Sequence, residues 1–164
     1  MEAKRRASYI KENIQGHFSE FNRCKDHWHI LDEDTYNFDE SGYLIGVVSG
    51  SIVIVPIGCE AVYVDDPANR ELVTSTECIS AGGHHVPPMI IFKGAYHLRK
   101  YFKNDMDGRI LWARSESGFT NDKLTLKWLQ HFDRYTKDRT LGRYRMLIFD
   151  GFGSHVTQNF INYC

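Results

Sequence analysis

Two aspartates sit where a strand-like run opens into a turn. The stretch YNFDESGYLIG, residues 36 to 46, carries Asp39 and Glu40 ahead of a Ser-Gly turn, and RMLIFDGFGSH, residues 145 to 155, runs four apolar residues into Asp150 and a glycine-rich turn. Carboxylates at the ends of neighbouring strands hold their oxygens at a fixed separation, while the loops leave coordination positions open to water and substrate. Hard divalent cations such as Mg²⁺ or Mn²⁺ take oxygen ligands of this kind. A pair of such ions about 4 Å apart activates a water and stabilises the leaving oxygen of a phosphodiester. Asp39 and Asp150 stand 111 positions apart (150 − 39), so only the fold can join them. The plainer reading is that each acid closes a turn or opens a helix, as aspartates commonly do.

The elements that must position these acids follow from hydrophobic period. Over residues 7 to 22, Ile10, Ile14, Phe18 and Phe21 recur at spacings of four, four and three, the stripe of an amphipathic helix. The chain turns strand-like around Tyr36–Asp39. SIVIVPIG, residues 51 to 58, is a short apolar run, and VDDPANR, residues 64 to 70, is a turn cluster. ELVTSTECISAGG reads as a strand ending at a double glycine, with HVPPMIIFKG as its hairpin partner and the two prolines placed near that strand's beginning. Residues 95 to 118 read as loop with short elements. From Thr120, Leu124, Trp128, Leu129, Phe132 and Tyr135 fall at helical spacing behind Thr120 or Asn121 as N-cap. MLIFD reads as a strand buried on both faces, and Ser154 as the cap of a last helix carrying Val156, Phe160, Ile161 and Cys164 on one side. This order suits a mixed α/β sheet with helices packed against it.

Composition narrows the function classes. The 164 residues are 42% hydrophobic and 25% charged with a net charge of −1, which fits one globular domain and excludes collagen, coiled coil and disorder. Any polyanion site must be a local patch. Cys24, Cys59, Cys78 and Cys164 form no CxxC pair, so zinc-ribbon and thioredoxin-type motifs are absent and a reduced, intracellular setting is expected. No apolar run reaches the roughly 18 to 20 residues of a membrane span, and the start lacks the apolar core of a signal peptide.

Several smaller motifs carry less. Arg99, Lys100 and Lys103 are interleaved with Tyr101 and Phe102 in HLRKYFK, a composition suited to phosphate contact with base stacking, although a solvated surface is the better reading of so short a basic stretch. His84 and His85 read as a polar turn between strands, since no fourth ligand stands at zinc spacing. LIFDGFGSHV starts like a dinucleotide fingerprint but has Val156 where the third glycine belongs. FDGFG lacks the order and the companion motifs of a kinase. The KRR at residues 4 to 6 is an ordinary charged helix start, with nuclear import as its less common meaning.

Four blocks taken together resemble a known family. YNFDESGYLIG, VTSTECISAGGHHVPPMIIFKG, SESGFTND followed by WLQHF, and RMLIFDGFGSHVTQNFINYC are similar, in this order, to the DDE superfamily endonuclease domain of pogo-like transposases, the mariner-related group that includes the centromere protein B family. The resemblance covers residues 28 to 164 and leaves 1–27 as an N-terminal helical segment. It implies a ribonuclease H-like α/β fold, a mixed sheet flanked by helices and incomplete at its C-terminus, and metal-dependent cleavage and strand transfer of DNA. By the same resemblance Asp39 and Asp150 are the first two acids of a Mg²⁺ or Mn²⁺ site, and His155 keeps its place near the DNA. Phe152 departs from the family's usual histidine.

The third acid and the helix-turn-helix of the family are expected outside this chain, which would then be truncated at both ends and inactive by itself. DNA in the nucleus is the expected partner. Apolar faces left uncovered around residues 145–150 and the last helix add a homo-oligomer to the expectations. The alternatives are a non-catalytic nuclear protein that kept the fold for binding DNA or a protein partner, and a nucleotide-binding α/β module.

Overall fold

The computed structural model describes residues 10–45, 71–96, 105–151 and 153–164. The apolar run at 51–58 and the turn cluster at 64–70 lie outside the described residues. In chain order the elements are α1 (Lys11–His27), β1 (Thr35–Ile45), β2 (Glu71–Ser80), β3 (His85–Lys93), β4 (Leu111–Ser115), α2 (Asp122–Thr136), β5 (Met146–Ile148) and α3 (Gln158–Tyr163). The five strands form one mixed sheet in the order β4-β3-β2-β1-β5. β1, β2 and β3 form an antiparallel meander, whereas β4 runs parallel to β3 and β5 parallel to β1.

Alternation along β1 decides which way each side chain faces. Tyr36 and Phe38 are buried, while Asn37 and Asp39 between them are exposed. The same period runs through β2, where Thr74, Thr76 and Cys78 are buried and Glu77 and Ile79 are exposed. α2 covers the buried face. Asn121 caps it by accepting from the Leu124 N–H at 3.1 Å, and the helical period turns Thr125, Trp128, Leu129, Phe132 and Thr136 inward. Trp128 stacks on Phe38 with ring centroids 4.0 Å apart, and Tyr36 meets Phe132 edge-on at 5.1 Å. Burying side chains of this size stabilises by about 1.5–3 kcal/mol each, so the Phe38–Trp128–Phe132 stack fixes α2 across the middle of the sheet.

The hairpin between β2 and β3 matches its expectation, with a turn through Gly82 and with Gly83 at φ +83°. Pro87 and Pro88 lie near the start of β3, opposite the single residue Glu77, because Val86 pairs with Cys78 and Met89 with Thr76. The extra residue of this bulge is where a strand tolerates a missing N–H. His84 and His85 fall at the turn and the first position of β3, as a polar inter-strand turn requires. A short strand, β4, runs through the stretch expected to be mostly loop.

Four expectations need correction. Ser41 and Gly42 form no turn, since β1 runs unbroken from Thr35 to Ile45 and pairs with β2 throughout, so Asp39 and Glu40 lie in mid-strand. β5 is three residues long and all of them are only half-buried, so MLIFD is not a strand covered on both faces; among the described residues β5 is the edge of the sheet, with β1 as its single neighbour. Residues 153–156 form a 3₁₀ turn, and the helix after it is capped by Thr157, whose hydroxyl accepts from the Phe160 N–H. Only Phe160 of that helix is buried, with Val156 and Ile161 each 54% exposed. The stripe of α1 is also open: Ile10, Ile14 and Phe18 are exposed, and no residue of this helix is buried.

Candidate active site

The parallel pairing of β1 with β5 brings the two aspartates together. Thr35 pairs with Met146, Tyr36 with Leu147 and Asn37 with Ile148, a constant offset of 111 (146 − 35). The pairing ends at Asn37 and Ile148, two residues before Asp39 on one strand and two residues before Asp150 on the other. The pairing is held in place from below. The Asp34 carbonyl accepts from the Met146 N–H at 2.9 Å, and the fully buried Asp34 carboxylate accepts from the N–H groups of Leu141 and Gly142. Asp34 thus ties the start of β1 to the loop that feeds β5.

The two carboxylates have different surroundings. Asp39 is exposed on the face of the sheet away from α2, and its Oδ1 accepts from the Glu40 N–H at 2.9 Å. It lines a cleft of about 450 Å³ with Asn37, Glu77, Ile79, His85 and Pro88. Glu77 is its direct cross-strand neighbour, so two acids lie side by side there. Asp150 follows β5 with its side chain 63% exposed, and its Oδ1 lies 2.8 Å from Nδ1 of His155.

His155 is the centre of a cluster that sequence reasoning did not anticipate. Its side chain is 1% exposed, and its Nε2 lies 3.2 Å from Oε1 of Glu40. The imidazole meets Phe38 edge-on with centroids 5.0 Å apart, and Phe149 at 5.7 Å. Burial sets the ring among Phe38, Phe149, Glu40 and Asp150 rather than at the surface. Alternation explains how Glu40 reaches it, since Tyr36, Phe38 and Glu40 share the inward side of β1. The available signal was that an acid two residues beyond a core phenylalanine lies on that core side.

Arg99, Lys100 and Lys103 lie outside the described residues. Among the described residues no group of three or more His, Cys, Asp or Glu side chains is arranged to hold a metal ion. The donor chemistry of Asp39 and Asp150 still fits a hard divalent cation. Both are carboxylates exposed to solvent, the donor type such an ion takes from a protein that leaves the rest of its coordination shell to water and substrate.

Comparison with known proteins gives this geometry a family. Residues 69–164 match the family described as DDE superfamily endonuclease; the stretch includes Asp150 and His155 and begins after Asp39. The chain is also 36% identical over 138 residues to a Cochliobolus lunatus protein named MFS-type transporter clz9, an alignment that takes in 82% of this chain and 15% of that protein. The chain thus spans a small fraction of that relative's length, and no helix among the described residues is long and apolar enough to cross a membrane. No solved structure matches the chain.

Proposed function

The chain belongs to the DDE superfamily endonuclease family, and from that premise we propose that it is the ribonuclease H-like core of a pogo-like transposase, which binds DNA in the nucleus and holds a divalent cation at Asp39 and Asp150. The observation that carries the reading is the β1–β5 pairing, which runs the strand that holds Asp39 beside the strand that leads into Asp150 although 111 positions separate the two acids. An antiparallel three-strand meander, extended at its far edge by β4 and followed by a helix and a strand parallel to the first, supports the ribonuclease H-like assignment.

Mg²⁺ or Mn²⁺ at this place would supply an activated water and charge stabilisation for phosphodiester cleavage. The protein's part is to aim oxygen donors from two rigid strands. Asp39 contributes from the middle of β1, where pairing with Glu77 of β2 restrains its backbone. Asp150 contributes from the first positions after β5, restrained by His155.

Calorimetric titration of the 164-residue chain with Mn²⁺ tests the reading. A saturable binding heat is expected, and it should be lost in both Asp39→Asn and Asp150→Asn, each of which replaces a charged ligand by a neutral one of the same shape. No heat from the unaltered chain, or the same heat from either variant, would overturn it.

A further inference from the structure

We propose that His155 is a positioning residue for the candidate metal site: its imidazole spans Glu40 of β1 and Asp150 beyond β5, and fixes the direction in which the Asp150 carboxylate points. The inference rests on the metal-binding reading of Asp39 and Asp150 and adds to it a residue that acts through another.

The geometry supports a brace. Oδ1 of Asp150 lies 2.8 Å from Nδ1, and Oε1 of Glu40 lies 3.2 Å from Nε2, so each ring nitrogen faces a carboxylate oxygen. Nδ1 also lies 3.3 Å from the Asp150 carbonyl, which ties the ring to the backbone of the same residue. Phe38 and Phe149 enclose the ring, leaving it little freedom to turn. A carboxylate has two oxygens and about four lone-pair directions, so accepting a hydrogen bond at one oxygen does not end its capacity to bind a cation. It does select a rotamer.

The brace matters because of what it joins. Asp150 is mostly exposed and lies past the end of a three-residue edge strand. Without His155 its side chain would sample several rotamers, and the cation would have to restrict them on binding. Glu40 follows Asp39 in β1, so the ring refers the orientation of Asp150 to the strand that carries the other acid. Groups that orient a ligand in this way typically contribute 10- to 100-fold to metal affinity.

Four substitutions in the 164-residue chain separate positioning from simple packing. His155→Phe keeps a ring among Phe38 and Phe149 but removes both polar contacts. His155→Asn retains a donor near the place of Nδ1, and His155→Gln one near the place of Nε2. Glu40→Gln weakens the far anchor while leaving Asp39 and Asp150 intact. Mn²⁺ affinity is read by titration calorimetry and the bound ion by electron paramagnetic resonance, with circular dichroism confirming a folded chain at the temperature used.

His155→Phe is expected to weaken Mn²⁺ binding by about 10- to 100-fold and to broaden the spectrum of bound Mn²⁺. Asn should recover more affinity than Gln, because it restores the contact to Asp150. Glu40→Gln should fall between the unaltered chain and the Phe variant. Should the Phe variant fail to fold, the order of Asn, Gln and Glu40→Gln still decides. Binding equal to the unaltered chain in all folded variants would overturn the brace while leaving the Asp39–Asp150 site standing. Absence of Mn²⁺ binding in the unaltered chain would instead remove the site itself, so the two failures are distinguishable.

Discussion

Asp34 and Gly142 are joined across 108 residues of chain by a hydrogen bond of 2.6 Å from the Gly142 N–H to Oδ2 of the Asp34 carboxylate. The neighbouring Leu141 N–H donates to the same carboxylate at 3.1 Å. Asp34 is 0% exposed, and a Cβ at position 142 would come within 3.2 Å of its Oδ2, so glycine lets the backbone approach this closely. The effect is to start β5 at the right height beside β1.

Asp34→Ala should therefore destabilise the chain by about 1–3 kcal/mol, because two backbone donors of a half-buried loop lose their acceptor. The measurement is a urea titration, with the midpoint shifting and the slope kept. Hydrogen exchange at Met146, whose N–H donates to the Asp34 carbonyl, should accelerate more than exchange in β3. A midpoint within error of the unaltered chain would show that Asp34 does not hold β5 in place.

A second backbone position carries strain that only glycine relieves. Gly118 adopts φ +83°, and a Cβ there would stand 3.2 Å from the Leu72 carbonyl oxygen and from the Lys93 side chain. Its own carbonyl accepts from Oγ1 of buried Thr74 at 2.8 Å, which locks the loop after β4 over the central strands. Gly118→Ala should cost about 1–3 kcal/mol from the left-handed backbone and the tight contact together, read as a lowered thermal midpoint. Gly108, which has open space around it, is the control: alanine there should leave the midpoint within about 0.5 kcal/mol of the unaltered chain.

How much of this was legible in the sequence depends on the range of the forces involved. The helical period of Leu124, Trp128, Leu129 and Phe132 and the cap at Asn121 are local, and α2 begins where they indicate. The double glycine before β3 is local too, and the hairpin forms there. Asp39 and Asp150 could be paired as candidates from their matching contexts, but the pairing of β1 with β5 that runs toward both of them is something no local window contains. Misreadings came where solvent or tertiary contact decides. The apolar letters of MLIFD look like a central strand, yet with a single neighbour they form a half-buried edge. His155 lies in a polar, glycine-rich stretch, and its burial depends on Phe38 arriving from within β1 and Phe149 from just past the end of β5.

Stability should fall as the solution is acidified, and His131 provides a physical cause. The ring is 5% exposed, and its Nε2 lies 2.8 Å from the Pro87 carbonyl oxygen, a contact made by Nε2–H of the neutral imidazole. Burial lowers its proton affinity below the ordinary value of 6.5, with Arg134 and Lys127 adding to the effect and the Pro87 hydrogen bond opposing it. In the unfolded chain the same histidine titrates near 6.5. Between the lowered folded value and 6.5 the unfolded state therefore binds more protons, and stability rises with pH across that window. The contribution of His131 is fully present above about pH 6.5 and is lost as pH falls through the folded value. His84, also lowered first by burial, acts in the same direction, so the test is a difference between variants. Urea midpoints measured from pH 8 to pH 5 should decline less steeply for His131→Gln, whose amide can still donate to the Pro87 carbonyl but takes up no proton. Identical pH profiles for the two chains would mean that His131 is not among the groups that make folding sensitive to acid.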